Sequence, residues 1–212
     1  MIDIIPAIFE KNWDEIVKKV ELVAHDVDWV QIDIADGTLV PAETFLDFAK
    51  LGKFGQLGKS LSLEAHLMVA SPEKYIRPLV EAGFKRIIAQ VECNDPRLFL
   101  DEIDRESVEV GLAIDGPTPL EQIAPFLENL DVVLVMMAEM GATGLVLQSE
   151  NVEKIRAIHQ SYPDLAIEAE EGIDEHTAKV IVEAGATRAV VTKFLFSDVK
   201  NIATAIDQLK KF

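Results

Sequence analysis

Trp29 to Gly37, WVQIDIADG, alternates Val30, Ile32 and Ile34 with Gln31, Asp33 and Ala35. A period of two is the signature of a β-strand. One face of this strand is wholly apolar; the other carries an amide and a carboxylate two residues apart. A carboxylate in so apolar a run is costly to bury unless it has a partner or a task. Asp36-Gly37 then breaks the strand. The pattern returns in SLEAHLMV, Ser62 to Val69, where Leu63, Ala65, Leu67 and Val69 share one face and Glu64, His66 and Met68 the other.

Outward from these two stretches, apolar runs at Ile2 to Ile8, Arg86 to Glu92, Val108 to Asp115, Asp131 to Ala138, Ala166 to Gly172 and Arg188 to Phe196 predict six further strands. Helix-start signals fall between them. These are Asn12 with Glu15, Thr44 with Asp47, Ser71-Pro72, Asp95-Pro96, Thr118-Pro119 with Glu121, Asp174, and Ser197 ahead of the last helix. Another helix is predicted from Ser149 to Gln160, and a less regular one from Thr44 to about Lys59. Eight strand–helix units with short connections and no linker predict one α/β domain over residues 1–212, a (β/α)8 TIM barrel rather than an open sheet. VEAGFKR at Val80 and VEAGATR at Val182 stand four units apart, which fits either two half-barrels or two similar glycine caps.

Composition narrows the function. The chain has 212 residues, 49% hydrophobic, with a net charge of −17. A polyanion is a poor partner for nucleic acid or an acidic membrane. The single cysteine, Cys93, allows no internal disulfide and suits a reducing compartment. The first residues lack the basic segment of a signal peptide, and no apolar run approaches membrane-spanning length. A cytoplasmic protein is expected.

In a barrel, the strand face opposite the helices points inward. That assigns Gln31, Asp33, Glu64, His66, Gln90, Glu92, Glu168 and Glu170 to the interior, with Asp33, His66, Glu92 and Glu170 nearest the C-terminal mouth where active sites of this fold lie. Three acids and a histidine converging there cannot all stay charged without a cation. A divalent metal is one answer, since Asp, His and Glu are ordinary ligands; a hydrogen-bonded polar plug is the other. Carboxylates on strands two and seven, Asp33 and Glu170, suit proton removal on one face of a substrate and return on the other.

The motifs IIPAIF, QIDIADGTLVP, HLMV, GLAIDGPTP, VVLVMMAEMGATG, AEEGI and VTKFLF resemble, in register over nearly the whole chain, the ribulose-phosphate 3-epimerase family. The resemblance implies a metal-dependent barrel enzyme that interconverts D-ribulose 5-phosphate and D-xylulose 5-phosphate by inversion at C3, within the pentose phosphate pathway, commonly as a homo-oligomer. It implies Asp33 and Glu170 as the two acids. Asp33, His66, Glu170 and, in place of a histidine, Gln31 would be the metal ligands. Met68 and Met136 would line the site, and Gly141, Gly144, Gly172 and Lys193 would stand on its phosphate side.

This chain departs from the family at several positions. Ala7 replaces a serine, Ala35 a methionine, Glu170 an aspartate, Glu171 a glycine, and Thr192-Lys193 a Gly-Ser pair. Gln31 offers an amide oxygen instead of imidazole, which lowers the expected affinity and, among manganese, iron, zinc, cobalt and magnesium, tilts the choice from zinc towards manganese, iron or magnesium. Glu171 puts negative charge where backbone amides should approach a phosphate; Lys193 could pair with it, grip the phosphate, or reach solvent. Two other readings follow from the same departures: a related barrel enzyme with a different substrate, and an inactive family member kept as a binding protein.

Overall fold

The computed structural model describes residues 2–56, 61–140 and 147–212. Eight parallel strands close into a barrel in chain order: β1 (Asp3–Ile8), β2 (Trp29–Ala35), β3 (Ser62–Met68), β4 (Arg86–Gln90), β5 (Glu109–Ile114), β6 (Val132–Met136), β7 (Ala166–Glu170) and β8 (Arg188–Val191), with β1 paired to β8. The expected (β/α)8 barrel is the observed fold. The outward strand residues, such as Val30, Ile32, Leu63 and Ala65, pack with the helices into one apolar shell.

The helices are α1 (Trp13–Val23), α2 (Phe48–Leu51), α3 (Glu73–Ala82), α4 (Pro96–Glu102), α5 (Ser149–Ser161), α6 (Glu175–Ala184), α7 (Lys193–Phe196) and α8 (Ile202–Leu209). Asn12 caps α1 by accepting from the Asp14 and Glu15 amides, and Asp95 caps α4 likewise. Asp174 and Thr177 form a reciprocal capping box on α6. The two VEAG segments end α3 and α6 in left-handed glycines, Gly83 and Gly185 (φ 89° and 116°), each donating back to the last turn.

Several predicted boundaries are corrected. Strand eight stops at Val191, and the apolar Phe194-Leu195-Phe196 run is helical, so Lys193 opens α7 instead of ending a strand. Ser197 does not cap the last helix, which starts after Asn201. Ser71 makes no side-chain cap on α3. Between β5 and β6 the Thr118-Pro119 signal opens no α-helix but two 3-10 turns, Leu120–Gln122 and Ala124–Asn129. The Thr44 to Lys59 stretch holds only α2 and a 3-10 turn at Gly52–Gln56, and residues 57–60 lie outside the described residues.

The barrel interior is layered. At the N-terminal end Arg86, fully buried, bonds Glu64 and also reaches Glu168 at 3.0 Å and Glu109 at 2.7 Å. Its guanidinium lies 3.9 Å over the Trp29 ring, and Arg188 adds a second 3.0 Å contact to Glu168. Burial and neighbouring Glu168 push the Glu64 carboxyl up to about 8, against the pull of Arg86. Above this charged floor sits an apolar layer that includes Ile88 and Val190, two residues on from Arg86 and Arg188 along β4 and β8.

Candidate active site

Alternation along β2, β3, β4 and β7 places Gln31, Asp33, His66, Gln90 and Glu170 on the inner wall, all buried, above the apolar layer. Asp33 lies beside His66 in the β2–β3 register, and Met136 beside Glu170 in the β6–β7 register. His66 Nδ1 stands 3.2 Å from Glu170 Oε2 and 3.5 Å from Asp33 Oδ1. The Gln31 amide NH2 donates to Asp33 Oδ1 at 2.7 Å and to Glu170 Oε1 at 3.1 Å. Gln90 Nε2 lies 2.8 Å from His66 Nε2 and 3.1 Å from the Met136 sulfur.

Electrostatics bind the three titratable groups together. Burial alone would lower the His66 imidazole, but Glu170 and Asp33 hold it up, to about 10. Burial and Asp33 push the Glu170 carboxyl above its usual range despite His66. Gln31 Oε1, Gln90 Oε1 and Glu170 Oε2 are buried without a hydrogen-bond partner, and the His66 Nδ1 contacts have ion-pair distance without hydrogen-bond alignment. Each such atom costs about 1–3 kcal/mol when left unpaired. One ligand atom from each of Asp33, His66 and Glu170 fits within a 4.8 Å cluster. A donor set of one imidazole nitrogen and carboxylate oxygens, with unpaired lone pairs in a dry site, fits a divalent cation.

The inner acids divide differently from the expected four-residue convergence. Glu92 lies beyond the end of β4 and accepts from the Asp115 amide at 2.9 Å; it is outside the cluster. Glu64 and Glu168 belong to the charged floor, paired with Arg86 and Arg188. Arg86, which organises that layer, escaped the sequence reading; its inward parity with Gln90 was the available signal. The second acid of the IDIADG motif, Asp36, is structural. It accepts from the Thr38 amide at 3.0 Å and the Tyr75 hydroxyl at 2.7 Å, tying the β2 exit to α3.

Met136 borders the cluster through Gln90, while Met68 packs with Ala35 and Val40 at the mouth. A pocket of about 350 Å³ opens between the ends of β7 and β8, lined by Glu171, Gly172, Asp174, Thr177, Val190, Lys193 and Ser197 among others. The Asp174 carboxylate is engaged as the α6 cap, which holds it below its usual range despite partial burial. Gly141 and Gly144 lie outside the described residues.

Glu171 and Gly172 are both left-handed, at φ 76° and 67°. Gly172 adopts this freely, whereas Glu171 pays about 1–2 kcal/mol for it. Glu171→Gly is therefore expected to stabilise the fold by about 1 kcal/mol, seen as a higher urea midpoint at unchanged slope. An unchanged midpoint would mean that the side chain's own contacts offset the strain.

Comparison with known proteins gives a consistent picture. The sequence profile described as "Ribulose-phosphate 3 epimerase family" matches residues 3–196. The ribulose-phosphate 3-epimerase of Schizosaccharomyces pombe is 29% identical over 196 residues, covering 91% of this chain and 86% of that one. A rice relative (Oryza sativa subsp. japonica), named as the cytoplasmic isoform, is 31% identical over 180 residues, covering 82% and 78%. The Chlamydia muridarum enzyme is 33% identical over 176 residues, covering 79% and 75%. Among solved structures, KGPDC from Streptococcus mutans superposes with a TM-score of 0.77 at 11% identity, covering 100% of this chain and 96% of that one. That likeness bears on the fold alone.

Proposed function

The chain belongs to the ribulose-phosphate 3-epimerase family, a family of enzymes, and on that footing we propose that it inverts C3 of D-ribulose 5-phosphate to give D-xylulose 5-phosphate. Asp33 and Glu170 are the two proton-transfer groups. The observation that carries this reading is the pairing of the two carboxylates, from β2 and β7, around His66 and the Gln31 amide at the barrel mouth. One acid removes the C3 proton from one face of the ketose, and the other delivers a proton to the opposite face. Burial and Asp33 raise the Glu170 carboxyl above its usual range, the direction that makes it a better proton acceptor. Met136 and the apolar layer beneath keep bulk water from the reacting carbon. A divalent cation held by Asp33, His66, Glu170 and Gln31 would supply positive charge to the carbonyl and the enediolate oxygens; manganese, iron, cobalt, zinc and magnesium are the candidates.

The substrate's phosphate is assigned to the pocket at β7 and β8, with Gly172 and Lys193 as its contacts. Lys193→Met is expected to raise KM for ribulose 5-phosphate about tenfold with little change in kcat, the mark of lost uniform binding. The acid at Glu171 favours a second reading, a ketose without the phosphate. Following deuterium entry at C3 by NMR, with D-ribulose 5-phosphate and D-ribulose side by side and each metal supplied in turn, tests both. Exchange confined to the phosphate ester supports the first reading, and exchange confined to the free sugar the second. No exchange in either from folded, metal-loaded protein would sink the enzymatic assignment. A cytoplasmic homo-oligomer, organised as one domain over residues 1–212, completes the proposal; light scattering on the purified protein checks the assembly.

A further inference from the structure

Glu92 and Lys154 take no part in the chemistry above, yet both act on one short segment, the exit of β5. Asp115 there is buried, and its amide, carbonyl and carboxylate are all engaged. The amide donates to Glu92 Oε1 at 2.9 Å. The carbonyl accepts from Lys154 Nζ at 3.0 Å, and the Gly116 carbonyl accepts from the same amine at 2.6 Å. The carboxylate oxygen Oδ1 accepts from the Gly116 amide at 2.8 Å and from the Met140 amide, past the end of β6, at 2.6 Å. A Cβ at Gly116 would come within 2.8 Å of the Ala138 carbonyl, so the exits of β5 and β6 press directly on one another. A buried carboxylate is a costly fastener for a turn. One that accepts two backbone amides holds the chain more firmly than neutral bonds would.

What this fastener holds is Met140. Its partly buried side chain packs against the interior cluster that includes Ile88, Ala113, Met136 and Val190, and also against the cluster of Ala35, Val40 and Met68. Among the described residues, Met140 alone packs against both. We propose that Asp115 is a positioning residue for the epimerisation, acting through Met140, which closes the mouth against the bound ketose between Met136 and Met68. Met140 is the residue of the two that touches substrate. A thioether on a flexible chain moulds itself to an irregular surface, and it does so at a fixed place only if its backbone is held. Closure there keeps water from the carbon that loses and regains a proton. Glu92 and Lys154 hold Asp115 in turn, from the β4 exit and from α5. The inference rests on the epimerase reading and extends it to the β5–β6 side of the mouth, away from the two acids.

The test is a double-mutant cycle on the full, metal-loaded chain, read as kcat and KM on whichever of D-ribulose 5-phosphate and D-ribulose the unaltered protein turns over. Asp115→Ala and Met140→Ala are each expected to lower kcat about tenfold, since small misplacements at a reacting centre are costly, with KM nearly unchanged. The double variant should lose about tenfold again, not about a hundredfold, because both changes remove one and the same contact. Asp115→Asn, which keeps an oxygen to accept the Met140 amide, should recover most of kcat. A merely structural Asp115 would lower the urea midpoint and leave kcat of the folded protein as it was. Should Asp115→Ala not fold, Asp115→Ser, too short to reach the Met140 amide, takes its place in the cycle. Unchanged kcat in either folded single variant, or losses that multiply in the double one, would overturn this proposal alone. Inactivity of the unaltered protein on both sugars would overturn the epimerase reading, and this proposal with it.

Discussion

Asp33→Asn and Glu170→Gln are each expected to slow epimerisation about 10²–10⁴-fold, and to leave opposite halves of the reaction behind. If the two acids serve opposite faces of C3, removing one still allows the other to exchange the hydrogen it faces. One variant should incorporate deuterium into ribulose 5-phosphate only, the other into xylulose 5-phosphate only. Because both residues are also assigned as metal ligands, exchange is read at saturating metal, with bound metal measured in the same samples. Exchange of both epimers at the unaltered rate in either metal-loaded variant would exclude the two-acid mechanism. The extra methylene of Glu170, compared with the family's aspartate, makes its side the one to examine for a slower step, since displacements of about 1 Å can cost about 10²-fold.

The largest stability effect is expected at the other end of the barrel. Arg86→Met removes the cation that serves Glu64, Glu168 and Glu109 at once. Leaving buried carboxylates without their partner costs about 3–5 kcal/mol, whereas exposed pairs such as Arg77–Glu81 are worth a fraction of that. The deficit should be smaller at pH 5 than at pH 8. The folded-state Glu64 carboxyl already lies near 8, above its unfolded value, so folding takes up a proton there and loses that contribution as pH rises through the folded value. Adding Glu64→Gln to Arg86→Met should recover part of the loss. Urea unfolding of the three proteins at the two pH values measures it; a deficit below about 1 kcal/mol at pH 8 would mean that the floor is solvated rather than dry.

The sequence revealed the barrel because strand alternation is a short-range signal, and β2 and β3 carry it without interruption. It revealed Asp33, His66 and Glu170 for the same reason: parity alone sends them inward. It failed where tertiary partners decide. Arg86 at a strand start looks like a solvent-facing cation until Glu64 and Glu168 from neighbouring and distant strands are seen around it. Glu92 has inward parity, but β4 ends at Gln90 and the chain leaves the wall first. Thr192-Lys193 and the aromatic run after it carry a strand's composition, yet the chain turns at Val191 into α7 because the barrel is already closed by β1. Thr118-Pro119-Glu121 has a helix-start composition, but the segment makes only 3-10 turns before β6 begins.

The ionic floor beneath the apolar layer also sets how protons travel. With Arg86, its carboxylates and Trp29 sealing one end, the acids at the mouth communicate with water in one direction only. When a substrate covers that mouth, a hydrogen lifted from carbon is confined with it. The vessel then favours return of the same hydrogen over replacement from solvent, and isotope washout becomes a clock for how often the mouth reopens between attempts at the chemistry.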